Sequence, residues 1–182
     1  MSLAELGMVP GKVETIERTA TYVNDPLAAF AQLCGEKPHA LLLESAEIDS
    51  KDNLQSLLMV DGALRFECRG QEVAIQALSA NGKGLLPLFM ESCPADLKCQ
   101  IVSETEITLQ CHSQTANLDE DSRLKSTSVF DVLRMVVRQI TPLRDHQHAV
   151  FLGGVFAYDL LATFEELPEV EEGDNDCADY VF

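Results

Sequence analysis

A carboxylate and a hydroxyl stand side by side where a run of three leucines ends, in Leu41-Leu42-Leu43-Glu44-Ser45. Ionised, Glu44 is an acceptor for an ammonium group, and the Ser45 hydroxyl both donates and accepts. At a strand terminus the two can take an ammonium group and a polar, backbone-like ligand between them. The competing reading is a solvated turn, because polar residues are ordinary where a strand leaves the core. Residue chemistry alone leaves both open.

The rest of the chain adds little that could do chemistry. No Ser/His/Asp order, Cys/His pair or nucleophile motif has supporting context, so no catalytic residue is assigned. The six cysteines, at 34, 68, 93, 99, 111 and 177, show no paired short spacing. Neither a disulfide framework nor a metal site is expected from them, and Cys111-His112 and His146-Gln147-His148 lack a second pair at a matching interval. Asn81-Gly82-Lys83-Gly84 lacks the spacing of a phosphate-cradling loop. The formal net charge of −17 repels phosphate backbones and anionic membranes, which excludes nucleic acid and lipid as expected partners. Much of the acid falls between Glu165 and Asp179 and reads as a solvated face.

Chemistry at residues 43–45 needs elements to hold it. With 182 residues, 46% of them hydrophobic, the chain is long enough for a real core. It has no apolar run of membrane-spanning length. Residues 1–14 read as a flexible leader without the features of a secretion signal, so a cytoplasmic location is expected. Thr15 to Val23 reads as extended. Asp25 caps a helix with Pro26 at its first position, and Gly35 stops it. Residues 40–44 read as a strand buried on both faces. Strands at Ser56 to Asp61, Leu64 to Arg69 and Glu72 to Leu78 follow as an antiparallel meander, with Val73, Ile75 and Ala77 facing in.

Asn81 to Gly84 reads as a turn into a helix over Leu85 to Phe89, with Pro87 in its first turn. Two more strands are predicted at Cys99 to Val102 and Glu106 to Cys111. Ser128 caps a helix whose apolar face carries Val129, Phe130, Leu133, Val136, Val137 and Ile140. Ala149 to Phe156 reads as a strand in which Gly153-Gly154 admits close approach of another backbone. A helix begins at Tyr158, and a final strand begins near Asp176 with no partner left to pair with. The predicted class is α+β, a mainly antiparallel sheet with helices against it.

Several stretches resemble one family in order. Leu42-Leu43-Glu44-Ser45-Ala46, Asp49-Ser50-Lys51-Asp52 and Val60-Asp61 are similar to the N-terminal region of anthranilate synthase component I. So are Gln76-Ala77-Leu78-Ser79, Leu118-Asp119-Glu120-Asp121, Val129-Phe130-Asp131 and Gly153 to Leu160. The likeness runs from Asn24 onward. It implies that residues 15–182 are the tryptophan-sensing N-terminal domain, ending before the domain that binds chorismate. The full-length subunit would convert chorismate to anthranilate, with magnesium and with ammonia from a glutamine amidotransferase partner. The turn at Leu43, Glu44 and Ser45 would contribute to the pocket for tryptophan, the feedback inhibitor. The resemblance also implies that this chain alone is inactive and holds no magnesium site. The alternatives are the sister family, aminodeoxychorismate synthase component I, and a stand-alone amino-acid-binding module.

Overall fold

The computed structural model describes residues 9–45, 55–111, 126–163 and 176–182. The stretches Asp49-Ser50-Lys51-Asp52 and Leu118 to Asp121, His112 and the acids from Glu165 to Asp174 lie outside the described residues. In chain order the strands and helices are β1 (Lys12–Val13), α1 (Pro26–Cys34), β2 (Leu41–Glu44), β3 (Ser56–Met59), β4 (Leu64–Arg69) and β5 (Glu72–Ala77). Then come α2 (Ala80–Glu91), β6 (Leu97–Ser103), β7 (Glu106–Cys111), α3 (Val129–Gln139), β8 (Thr141–Pro142) and β9 (Val155–Phe156). A 3-10 helix, Tyr158–Thr163, and β10 (Tyr180–Val181) complete the set. They form two compact units, Ile16–Gly62 and the remainder, Met1–Thr15 with Ala63–Phe182.

The larger unit is built on a six-stranded antiparallel sheet in the order β6-β7-β5-β4-β10-β9. The class is α+β, as the sequence predicts. Alternation in β5 and β7 sends Val73 and Ile75, and Ile107, Leu109 and Cys111, to one buried face. Onto that face α2 lays Leu86 and Phe89, and α3 lays Val129, Val132, Met135 and Val136. Each side chain of this size is worth about 1.5–3 kcal/mol on full burial. One row of the register, Leu109–Val73–Cys68–Tyr180, is fully buried across four strands. Against its end, Phe156 meets Tyr180 edge-on at 5.9 Å between ring centroids and Phe182 at 4.8 Å.

Several elements depart from the sequence expectations, each for a physical reason. The helix expected from Leu85 begins at Ala80, because the Ser79 hydroxyl accepts the Gly82 N–H at 3.1 Å and caps it. The glycines there serve packing: a Cβ on Gly82 would lie 1.9 Å from the Ala63 carbonyl oxygen. Pro87 therefore sits inside the helix, where it gives up the bond its N–H would have donated to Lys83. The buried stripe of α3 runs through Val132 and Met135, leaving Val137 exposed. Of Ala149 to Phe156 only the last two residues form strand. Gly154 packs so closely that a Cβ would fall 2.1 Å from the Val181 carbonyl oxygen.

The final strand is not partnerless. β10 pairs with β4 on one side, Tyr180 opposite Cys68, and with β9 on the other, Tyr180 opposite Phe156. The Phe66 N–H donates to Phe182 C=O at 2.7 Å, and the Phe182 N–H returns a bond to Phe66 C=O at 3.0 Å.

In the smaller unit, α1 follows its sequence signals. The Asp25 carboxylate accepts the Ala28 N–H at 2.9 Å, and Gly35, at φ 54°, turns its N–H back to Ala31 C=O at 2.9 Å. Thr15 to Val23 forms no strand. β3 does not extend the meander; it pairs antiparallel with β2 as a separate two-stranded ribbon.

Candidate functional site

The ribbon of β2 and β3 carries the three side chains singled out from the sequence. Its register sets Leu41 opposite Met59, Leu42 opposite Leu58, Leu43 opposite Leu57 and Glu44 opposite Ser56. Leu41 and Leu42 are half-buried, while Leu43 is 44% exposed and Glu44 and Ser45 are exposed. The strand is thus not buried on both faces as its leucines suggested, because a two-stranded ribbon covers only part of it.

Ser45 extends the ladder by one more pair. Its N–H donates to the Gln55 carbonyl at 2.9 Å, its hydroxyl lies 3.1 Å from the same oxygen, and it accepts the Gln55 N–H at 2.8 Å. This clamp closes the ends of the segment between residues 45 and 55. It uses the hydroxyl proton and one lone pair, leaving one further lone pair on Oγ to accept.

Two consequences follow from strand geometry. Side chains alternate, so Leu43 and Ser45 share one face of the ribbon while Glu44 lies on the other with Leu42. The Ser45 N–H bond into β3 also fixes the phase of the backbone: residues 41, 43 and 45 bond inward, and 42 and 44 turn their N–H and C=O groups to the opposite edge. Among the described residues no strand pairs on that edge. The Glu44 main chain and carboxylate are therefore offered together at an open edge, beside an apolar face that starts at Leu43.

At the other end of the ribbon, Lys37 and Asp61 form an exposed ion pair at 3.0 Å, worth at most about 1 kcal/mol. His39, between Lys37 and β2, adopts φ 66°. Gln55 was not singled out from the sequence, because it acts through its main chain, which no residue type announces. No group of three His, Cys, Asp or Glu able to hold a metal ion occurs among the described residues. The His148 main-chain N–H donates to His146 Nδ1 at 3.1 Å.

No protein-family model matches the chain. Curated relatives do. Anthranilate synthase component 1 of Salmonella typhimurium is 46% identical over 170 residues, a match spanning 93% of this chain and 32% of the relative. The Vibrio cholerae protein of the same name is 47% identical over 171 residues, with the same shares covered. That of Escherichia coli is 44% identical over 170 residues, again 93% and 32%. The chain is homologous to the N-terminal part of anthranilate synthase component 1. It spans about a third of the length of these relatives. The match to anthranilate synthase component 1 leaves only 7% of the chain uncovered. No described helix is long and apolar enough to cross a membrane.

Proposed function

We propose that this chain serves as the effector-sensing N-terminal part of an anthranilate synthase large subunit. The full subunit converts chorismate to anthranilate, taking ammonia from a glutamine amidotransferase partner. In this proposal Leu43, Glu44 and Ser45 help to hold tryptophan, the feedback inhibitor. The supporting observation is the open edge of β2, where free main-chain groups lie between a carboxylate on one face and an apolar residue on the other. An amino acid straddling that edge presents an indole to the Leu43 face, an ammonium to the remaining lone pair of Ser45 on the same face and to a Glu44 carboxylate that reaches round from the other, and a carboxylate to main-chain N–H. A feedback inhibitor must prefer one of two states of the whole subunit, so the pocket is completed by residues beyond these three.

Magnesium enters only as a cofactor of the full-length subunit. No residue of this chain is assigned to it. Aminodeoxychorismate synthase component I is the rival enzyme, and a stand-alone binding module the rival of another class. The relatives from Salmonella, Vibrio and Escherichia bear the name anthranilate synthase component 1, which favours neither.

The test is a pair of inhibition curves on the full-length enzyme, wild type and Ser45→Ala. Losing a hydrogen bond to a charged ligand group costs about 1.5–3 kcal/mol, roughly ten- to a hundred-fold in affinity for tryptophan. Turnover of chorismate without tryptophan should change little. Superimposable curves would remove Ser45 from the effector site. The 182-residue chain alone is expected to form no anthranilate from chorismate, ammonia and magnesium, which anthranilate fluorescence checks directly.

A further inference from the structure

The register of the ribbon brings forward a residue that neither the sequence nor its family resemblance singles out. Leu57 stands directly opposite Leu43. Opposite residues of an antiparallel pair share a face, and side chains alternate along each strand, so both leucines lie on the face of Ser45. That face reads as a row of three pairs: Ser45 with Gln55 at the clamp, then Leu43 with Leu57, then Leu41 with Met59. Exposure falls along it. Ser45 and Gln55 are exposed, Leu43 is exposed beside a half-buried Leu57, and Leu41 and Met59 are both half-buried. The Leu43–Leu57 pair is therefore where the row turns from polar to apolar while still open to a ligand.

We infer that Leu57 is a specificity-determining residue of the effector site, forming with Leu43 a two-leucine floor for the ring of a large aromatic amino acid. The inference rests on the reading of Leu43, Glu44 and Ser45 as effector residues. One pair to the next along the row is a step of about 7 Å, which matches the span from the ammonium of an amino acid to the far ring of an indole. A ligand whose ammonium sits at Ser45 thus lays a bicyclic side chain across both leucines, and a short side chain stops before them. Selection then comes from apolar surface taken out of water, so it follows ring size.

The reverse face offers less. There Glu44 stands opposite Ser56, and the next pair, Leu42 with Leu58, has both members half-buried. Leu58 is thus a control of the same residue type and burial as Leu57, one residue along the same strand and on the other face.

The test uses the full-length enzyme as wild type, Ser45→Ala, Leu57→Ala and Leu58→Ala, each normalised to its own turnover of chorismate without inhibitor. Inhibition curves are taken with tryptophan and with ring-methylated tryptophans. Losing apolar wall from a pocket weakens binding roughly tenfold or more, so Leu57→Ala should raise the half-inhibiting concentration of tryptophan by that factor and Leu58→Ala by much less. The space left by the leucine can take an added methyl group, so a ring-methylated tryptophan should lose less affinity than tryptophan itself. A general loosening of the ribbon would weaken all of them alike, and that uniform loss would overturn the inference. So would a Leu58→Ala effect equal to or larger than that of Leu57→Ala. If Ser45→Ala weakens inhibition and Leu57→Ala does not, the effector site stands and Leu57 has no part in it. If neither variant moves the curve, the effector reading fails and this inference fails with it. Should Leu57→Ala not fold, Leu57→Val, a good strand former, carries the same comparison with an expected rise of a few-fold.

Discussion

The Tyr180 hydroxyl donates to the Val129 carbonyl at 2.8 Å, with both residues buried. This bond ties β10 to the first turn of α3, and burial of the phenol pushes its ionisation well above the ordinary value. Tyr180→Phe keeps the ring against Phe156 and Phe182 and removes only the donor. The expected loss is about 1 kcal/mol of stability by urea denaturation. An unchanged midpoint would show that the bond contributes nothing net.

Two glycines of α2 should respond in opposite directions to the same substitution. A Cβ at Gly82 meets the Ala63 carbonyl oxygen at 1.9 Å, whereas at Gly84 it meets nothing within 4 Å. Gly84→Ala is expected to stabilise by roughly 0.5–1 kcal/mol through helix propensity and a less flexible unfolded chain. Gly82→Ala should cost more than about 2 kcal/mol, since backbone must move. Thermal melts of the two variants beside wild type decide it.

Asp131 anchors the start of α3. Its carboxylate accepts the Ser128 N–H at 2.8 Å and pairs with Arg134 at 3.0 Å. Burial opposes ionisation most strongly, but the Ser128 and Arg134 bonds together outweigh it and hold the carboxyl below its usual 3.8. Because the folded value is the lower one, the stabilisation is complete above the unfolded value and disappears as pH falls through the folded one. Asp131→Ala should cost about 1 kcal/mol near neutrality. The gap to wild type should narrow in denaturation curves as pH is lowered below 3.8.

At the alkaline end the buried thiols should dominate. Burial raises Cys68 from 9.0 to about 12 and Cys111 from 9.0 to about 11. Both are raised on folding, so their contribution is intact below pH 9 and is lost as pH climbs from there through the folded values. Between roughly pH 9.5 and 10.5 each thiol should remove about 1 kcal/mol per pH unit. Cys111→Ala should flatten that slope by about one such increment. A slope identical to wild type would contradict it.

Local signals read from the sequence hold up well. Asp25-Pro26 and Gly35 bound α1, Ser128 opens α3, and alternation in Glu72 to Ala77 assigns the faces of β5, because each depends on residues within one turn or one strand. What fails is pairing over distance. Nothing in Ser56 to Met59 says that it folds back on Leu41 to Glu44, and nothing in Tyr180-Val181 announces Cys68 as its neighbour. Gly82 looked like part of a turn because its reason, the carbonyl of Ala63, lies far back in the chain. At the ribbon, residue chemistry raised Glu44 and Ser45 beside the reading of a solvated turn, and the resemblance added Leu43. The split of those side chains between two faces was available from the period of a strand, but the clamp to Gln55 was not.

The seat of β10 between β4 and β9 also bears on how the protein emerges during synthesis. Gly70 and Asp179, hydrogen-bonded in the native state, are 109 residues apart in the chain. The hairpin of β4 and β5 can close as soon as it leaves the ribosome, yet its Phe66–Cys68 edge stays bare until residue 182 has cleared the exit tunnel. At roughly 5–20 residues per second that is a wait of several seconds with an apolar strand edge open. Long-range closure of this kind slows folding, and it leaves the nascent chain, more than the finished one, with a strand edge open to wrong pairing.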